Sequence, residues 1–454
     1  MGGKTTMLFL NLFFVLSVLF YSLHSHACVP GDFQRTLDTI GKLNTSLADN
    51  YSPPKDFGIG AGGTQVYEPK DNTSPLLFYK SFINLKRPQD KEKWFNVFFF
   101  YDLAKELNFT TPVEPKIVYS CENNKFSNEG KLTIGIPFSP FYKLFKQKYP
   151  LLMETHPNCK SAKYDFEFSE CGLKKEYDSF VYKFLSDFSE NGHLGRYVAY
   201  FHLLGLGDPN IDNVGLCYNK NLCIIDVDHF GEMAGDTVFS QKTHDQQLGT
   251  RNLVGFIPHL KFKDPFNGNR VAYAQTSDPN LIKRWLHKFL AKKALRDRGE
   301  YIQDDNDLKL KNFVLDEETV RMIEAIHFDN VLNLDGYYDF ISRFGINMGL
   351  FPNYADLQTP LPVNKSALRN TIQEIVEIDP DLIRNTVKAT CEKLQIINEH
   401  APNNQMGPDD CGKSISENIL AHQQSFKELL KNTEEVRSLV PVIQAGVAIA
   451  LIKV

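Results

Sequence analysis

The stretch LLGLGDPNIDNVGLCYNKNLCIIDVDHFG, residues 203–231, is rich in aspartate and asparagine, whose side-chain oxygens can bind a metal ion. It contains four aspartates, several asparagines, and glycines and a proline that favour turns. A long helical pattern precedes it, and the apolar run LCII leads into Asp226. Two interpretations are open: Asp208, Asn213 and Asp226 are ordinary turn residues, or they form a metal and phosphate site.

The spacing of these three residues favours the second interpretation. Asn213 follows Asp208 by five residues in a loop, and Asp226 follows Asn213 by thirteen, at the end of a short strand. Phosphoryl transfer depends on positioning and on neutralising charge, so it needs hard oxygen ligands around magnesium and a carboxylate beside the attacking oxygen. The stretch contains those groups in that order.

A second pattern lies upstream. Gly58, Gly60 and Gly63 form GxGxxG, and Lys80 follows Gly63 by seventeen residues. Extended segments around 64–67 and 76–82 flank a Pro- and Asp-rich turn, so the glycines open a hairpin. A dinucleotide site would require a helix directly after the glycines, and a strand pattern is found there instead.

Taken together and in this order, the two patterns resemble the protein-kinase-like fold, in its atypical phosphoinositide-kinase-like, lanthionine-synthetase-like and secretory or effector branches. The resemblance covers residues 55–260, and it implies an α+β, two-lobed chain with a small β-rich N-lobe and a large helical C-lobe. It implies ATP with Mg or Mn as cofactors. Asp208 would be the catalytic carboxylate, and Asn213 and Asp226 the metal ligands.

The resemblance also assigns roles upstream. Gly58 to Gly63 would cover the phosphates, because glycine lets backbone amides approach them, and Lys80 would place a charge on them. Glu92 would pair with Lys80 from the following helix; Glu106 is the second choice.

The sequence departs from the family pattern at several points. Leu206 and Gly207 replace the usual His-Arg before the catalytic Asp. Phe78 stands where a small residue usually faces adenine, which leaves Lys70 and Lys86 as alternatives to Lys80. Asp226 opens a DVD segment, so Asp228 is either a further metal ligand or the cap of the next turn.

Hydrophobic periodicity divides the rest of the chain. The predicted regions are an N-terminal signal or anchor at 1–27, an extension at 28–54, the N-lobe at 55–139, the C-lobe at 140–300 and a helical extension at 301–454. Helices are expected at 88–109, in 174–204 as one long helix or a pair, and at 281–300, 316–328, 366–398 and 413–437.

The N-terminus predicts export. A lysine, an apolar run from Met7 to Leu23 and small residues near Ala27 form a secretory signal, with a single-pass anchor as the alternative. Secretion, delivery from a bacterium to a host cell, or membrane association through this segment follow from it. With a net charge of −5 and a pI near 6.2, the 454-residue chain gives no reason to expect nucleic acid as partner.

The eight cysteines contain no CxxC pair and no clustered histidine, which argues against a zinc site. In an exported chain they favour disulfides, with Cys217–Cys223, Cys159–Cys171 and Cys391–Cys411 as the pairs closest in sequence. Buried free thiols are the alternative.

Three functions remain open at this point. The first is an active kinase acting on a hydroxyl, expected on a protein substrate, with an activating small molecule or protein bound by the helical C-terminal half. The second is a pseudokinase that serves as a binding or scaffold module. The third keeps the fold but transfers another part of the nucleotide.

Overall fold

The computed structural model describes the chain in segments separated by gaps. The described residues are 52–53, 55–56, 64–67, 70, 77–81, 88–109, 116–122, 125–134, 139–162, 165–206, 214–217, 221–224, 227, 238–240, 257–267, 270–299, 314–343, 360–400 and 412–452. They form helices and small antiparallel sheets. The predicted α+β class is confirmed.

The first sheet contains five antiparallel strands in the order β1-β2-β3-β5-β4. Their bounds are β1 (Lys55–Asp56), β2 (Thr64–Tyr67), β3 (Leu77–Ser81), β4 (Lys116–Glu122) and β5 (Lys125–Ile134). The predicted hairpin is confirmed, since Thr64 to Tyr67 pair in register with Lys80 to Leu77. Strand β3 is central, with β5 on its other side.

Helix α1 (Pro88–Glu106) follows β3, with proline in its first turn, where the missing amide hydrogen costs nothing. Its second half is fully buried at Val97, Phe99, Phe100, Leu103 and Ala104. The aromatic face that predicted this helix is therefore the face that packs.

The chain then forms a group of helices packed through aromatic rings. They are α2 (Phe141–Lys148), α3 (Pro150–Thr155), a 3-10 turn (Pro157–Lys160), α4 (Asp165–Glu170), α5 (Lys174–Glu190) and α6 (His193–Leu204). The Phe145 ring lies 5.4 to 5.6 Å from the rings of Phe168, Tyr177 and Phe180. The helical pattern across 174–204 is a pair of helices, because Gly192 adopts a left-handed conformation with φ of 81° between them.

Two further sheets follow in the sequence. Strands β6 (Ser139–Pro140), β7 (Val214–Leu216) and β8 (Leu222–Ile224) form one, in the order β6-β7-β8. The other contains β9 (Val238–Ser240), β10 (Leu260–Asp264), β11 (Arg270–Ala274) and β12 (Phe328–Asn330), in the order β12-β10-β11-β9. The sequence predicted helices from residue 281 onward and did not predict this four-stranded sheet.

Helices α7 (Pro279–Asp297) and α8 (Glu317–Glu324) accompany the four-stranded sheet. Together they enclose a core of Leu260, Phe262, Ala272, Ala274, Ile282, Leu286 and Ile323. Strand β10 alternates buried Leu260 and Phe262 with Lys261 and Lys263, so one face of it packs, whereas Ala272, Tyr273 and Ala274 of β11 are all buried.

The C-terminal helices are α9 (Leu334–Ser342), α10 (Lys365–Glu377), α11 (Pro380–His400) and α12 (Lys413–Ile452). Helix α6 packs against α5, α10 and α12. Asparagine caps two of these helices: the Asn333 side chain accepts from Gly336 N, and the Asn364 side chain from Ala367 N. The predicted helices at 366–398 and 413–437 are confirmed.

The chain divides into two compact units. One takes in Met1–Phe98, Val113–Pro137 and Ala389–Asp409, and contains the five-stranded sheet. The other takes in Phe99–Pro112, Phe138–Lys388 and Asp410–Val454, and contains both smaller sheets and most helices. The apolar run at 7–23 lies outside the described residues. Among the described residues, no helix has both the length and the apolar composition needed to cross a membrane.

Candidate functional site

Most of the predicted site lies outside the described residues. This is true of the proposed catalytic and metal-binding side chains Asp208, Asn213, Asp226 and Asp228, and of Gly58, Gly60 and Gly63. Lys80 and Glu92 are described through their backbone, in β3 and α1. The structure therefore defines the helices and strands that come before and after these residues in the sequence.

Helix α6 leads into the predicted catalytic loop and ends at a defined place. Its C-cap, Gly205, is left-handed with φ of 59°, and the amide of Leu206 donates to the carbonyl of Phe201 over 3.1 Å. This is the usual way in which glycine ends a helix, because other residues are strained there. Leu206 is fully buried, so the chain is anchored two residues before Asp208.

The β7–β8 hairpin defines the other end of the predicted loop. Val214 pairs with Ile224, Gly215 with Cys223 and Leu216 with Leu222. In the sequence, Asn213 immediately precedes Val214, and Asp226 follows Ile224 by two residues. Val214 and Val227 are both buried, which fixes the chain on each side of the hairpin. In the sequence, the two predicted metal ligands therefore come just outside the paired end of this hairpin.

Among the described residues, two disulfides have both partners defined, and both are pairs that the cysteine spacing predicted. Cys217 is bonded to Cys223 across the β7–β8 hairpin, and Cys159 to Cys171 between the 3-10 turn and the end of α4. Cys391 is also disulfide-bonded; its predicted partner Cys411 lies outside the described residues. These bonds are consistent with a secreted protein or an oxidising compartment.

In the five-stranded sheet, Lys80 has a definite register. It pairs with Thr64 of β2 on one side and with Lys131 of β5 on the other. Sequence reasoning did not single out Lys131, because pairing between distant strands leaves no local signal. Glu106, the second choice for the helix glutamate, is exposed at the end of α1.

Two buried histidines, one in α6 and one in α12, lie near the C-terminal end of α6. Nδ1 of His202 is 2.7 Å from the Tyr337 hydroxyl of α9, and Nδ1 of His422 in α12 is 3.1 Å from the Leu203 carbonyl. A carbonyl only accepts, so His422 carries its proton on Nδ1. Among the described residues, neither Nε2 atom has a hydrogen-bond partner.

Burial, together with neighbouring His422, lowers the pKa of His202 to about 3. Burial also lowers the pKa of His422, although its bond to the Leu203 carbonyl opposes the change. Both rings are therefore neutral at physiological pH. The sequence signal for them was weak: His202 stands as a single polar residue inside the apolar run AYFHLLG.

A second polar cluster joins α9 to the four-stranded sheet. The Asp339 carboxylate accepts from Lys261 Nζ over 2.5 Å, from the Tyr273 hydroxyl over 2.8 Å and from Arg343 Nε over 3.0 Å. Burial raises the pKa of the Asp339 carboxyl, but the three hydrogen bonds outweigh it, so the pKa is lowered overall. The carboxylate bridges two cations and a hydroxyl, so this cluster is a structural ion-pair network.

Within the described segments, no three His, Cys, Asp or Glu side chains come together as metal ligands. Neither protein-family models nor the curated proteins give a match for this chain. The interpretation of the site therefore rests on its own residues and on the frame around them.

Proposed function

We propose that this chain is a secreted, metal-dependent phosphotransferase of the kinase-like, two-lobed type, which transfers the γ-phosphate of ATP to a hydroxyl group on a protein. The observation that carries the proposal is the register of the β7–β8 hairpin. Because Val214 pairs with Ile224, the sequence leads from this end of the hairpin to Asn213 on one side and, two residues after Ile224, to Asp226 on the other.

The donor chemistry at that end fits a hard divalent cation. Asn213 offers an amide oxygen, and Asp226 and Asp228 offer carboxylates, the ligand types that Mg²⁺ and Mn²⁺ prefer. Asn213 and Asp226 would hold the cation, which neutralises charge on the nucleotide phosphates. Asp228 would complete the ligand set or cap the following turn.

Asp208 lies between the capped end of α6 and the hairpin. The buried Leu206 and Val214 fix the chain on either side of the loop that contains it. The acceptor oxygen attacks the γ-phosphorus, the bond from that phosphorus to the β-γ bridging oxygen breaks, and ADP leaves. Asp208 orients the acceptor hydroxyl and takes its proton.

The five-stranded sheet supplies the remaining groups. Lys80, on central strand β3, would contact the phosphates, with Lys131 at the neighbouring register position as a second cation. The glycines at 58, 60 and 63 precede β2 and would cover the phosphates with backbone amides. Glu92, in the second turn of α1, would pair with Lys80.

The test uses residues 28–454, secreted from a host in which disulfides form. We would measure nucleotide-dependent thermal shift and transfer of labelled γ-phosphate to protein acceptors, with Mg²⁺ or Mn²⁺ present. Asp226→Ala should abolish the metal-dependent shift, and Asp208→Ala should retain it while losing transfer by roughly a hundredfold or more, the usual range for a positioned base. Asp212→Ala, an aspartate in the same loop outside the proposed set, is the matched control and should behave like the wild type.

The alternatives give distinct results. Metal-dependent binding without transfer to any acceptor identifies a pseudokinase that acts as a binding module. Transfer of the nucleotide moiety in place of the γ-phosphate identifies a reversed nucleotide. Absence of metal-dependent nucleotide binding overturns the proposal and means that the aspartates are ordinary turn residues.

A further inference from the structure

We infer that Cys217 and Cys223 are positioning residues: their disulfide sets the register of the β7–β8 hairpin and thereby the separation of the metal ligands Asn213 and Asp226. This inference rests on the proposed function. It assigns a role to a disulfide that neither the resemblance nor the proposed chemistry requires.

Packing of buried Val214 and Leu222 holds the hairpin in place, but its backbone pairing is short. Strands β7 and β8 are three residues each, and the third strand of the sheet, β6, is two residues long. One of those two residues is Pro140, opposite Gly215, and proline has no amide hydrogen to donate. Isolated pairs of such short strands are marginally stable, so backbone hydrogen bonds alone specify this register weakly.

The disulfide removes that ambiguity. The Cys217 amide donates to the Asn221 carbonyl over 3.0 Å, so Cys217 faces Asn221, and its disulfide partner Cys223 lies two positions further along β8. A slip by one residue would turn every side chain of a strand to the other face of the sheet. A cross-link between 217 and 223 therefore selects the pairing that is observed.

The consequence reaches the candidate site through the two strands. One step beyond the Val214–Ile224 pair, the sequence arrives at Asn213 on one strand and Ile225 on the other, next to Asp226. A change of one register step displaces one ligand along the strand by about 3.3 Å relative to the other. Metal coordination tolerates only a few tenths of an ångström.

The disulfide is a fixed part of the frame. Cys217 is 3% exposed and Cys223 is fully buried, and α6 packs against β8. Such a bond is protected from exchange with solvent thiols in the folded protein. The Cys159–Cys171 disulfide joins the 3-10 turn to the end of α4, contains no residue of the β6-β7-β8 sheet, and provides a control.

The experiment compares C217S/C223S with C159S/C171S, both as secreted chains purified like the wild type. Mn²⁺ affinity is measured by calorimetry with a non-hydrolysable ATP analogue, and amide hydrogen exchange is followed over 214–216 and 222–224. We expect C217S/C223S to weaken Mn²⁺ by about tenfold or more, the range for residues that orient ligands, and to speed exchange in the hairpin. C159S/C171S should change neither. C217V/C223A, which keeps the site apolar, serves if the serine variant does not fold.

Raising Mn²⁺ should restore nucleotide binding in C217S/C223S, because every ligand is still present, and should fail to do so in Asp226→Ala. Under conditions where each variant is fully folded, a disulfide that contributed only to folding stability would leave the Mn²⁺ affinity unchanged. Unchanged Mn²⁺ affinity in a folded C217S/C223S, or unchanged exchange in the hairpin, overturns the inference. If the wild type itself binds no Mn²⁺–nucleotide, the proposed function fails, and faster hairpin exchange in C217S/C223S still separates that failure from an error about the disulfide.

Discussion

At the scale of single residues, the two buried histidines make the folding stability depend on pH. His202 is neutral when folded, with its pKa lowered to about 3, whereas an unfolded histidine titrates near 6.5. Below about pH 6.5, His202 therefore binds a proton in the unfolded chain but not in the folded chain. Stability that is fully present above that pH is lost as the pH falls toward 3.

The first stability prediction follows from this difference. From pH 6 to pH 4.5 the free energy of unfolding should fall by about 1.4 kcal/mol per pH unit for His202, with a further loss from His422 in the same direction. Denaturant unfolding at several pH values measures the slope. His202→Asn, which keeps an amide near the position of Nδ1, should make the slope shallower; the exposed His193→Asn, in the same helix, should not. Equal slopes in wild type and His202→Asn would contradict the assignment.

At the scale of elements, the corner between α5 and α6 decides how the chain approaches the predicted catalytic loop. Gly192 has φ of 81°, and a Cβ on it would lie 2.5 Å from Cβ of Ala367 in the first turn of α10. The Asn364 cap of α10 also donates to the Glu190 carbonyl at the end of α5, over 3.0 Å. Glycine is thus required here both for its conformation and for the close approach of a helix.

We expect Gly192→Ala to lower the free energy of unfolding by about 1–2 kcal/mol through the left-handed conformation, and by about 1–3 kcal/mol more through the clash. Gly172→Ala is the control, since Gly172 has φ of 85° and open space around it, and should show only the first cost. Thermal or denaturant unfolding of both variants gives the difference. Equal costs would mean that α10 moves aside without penalty.

At the scale of the whole molecule, α9 contributes both to the helical packing and to the four-stranded sheet. Its Tyr337 and Phe340 lie beside His202, while its Asp339 receives hydrogen bonds from Lys261 and Tyr273 of the sheet. Replacing Asp339 by asparagine removes the negative charge between two cations and turns one acceptor oxygen into an NH2 donor that faces other donors. The cost should therefore exceed that of an ordinary surface pair.

Asp339→Asn should lower the free energy of unfolding at pH 7 by about 1–3 kcal/mol. Asp335→Asn, in the same helix and 84% exposed, should change it by less than about 0.5 kcal/mol. Because the pKa of Asp339 is lowered on folding, its contribution is present above the unfolded value near 3.9 and is lost as the pH falls through the folded pKa. The gap between wild type and Asp339→Asn should therefore close at strongly acid pH, and a constant gap would argue for packing alone.

The sequence by itself determined the elements whose signal is local. Apolar spacing predicted α1, helix over 174–204 as one helix or a pair, and the C-terminal helices, and short separations predicted the Cys217–Cys223 and Cys159–Cys171 bonds. It also predicted the hairpin of β2 and β3. For the candidate site it provided the residue types and their order, from Gly58 to Asp228, and these assignments stay predictions.

Only the tertiary structure decided what depends on residues far apart in the chain. The pairing of Lys80 with Lys131, the four-stranded sheet that joins β12 to β10, and the meeting of His202 with Tyr337 and His422 all bring together segments between which the sequence shows no pattern. Helix periodicity and turn residues act over a few positions, so they are visible in the sequence. Register and burial are set by which surfaces pack together, and that is decided only when the whole chain folds.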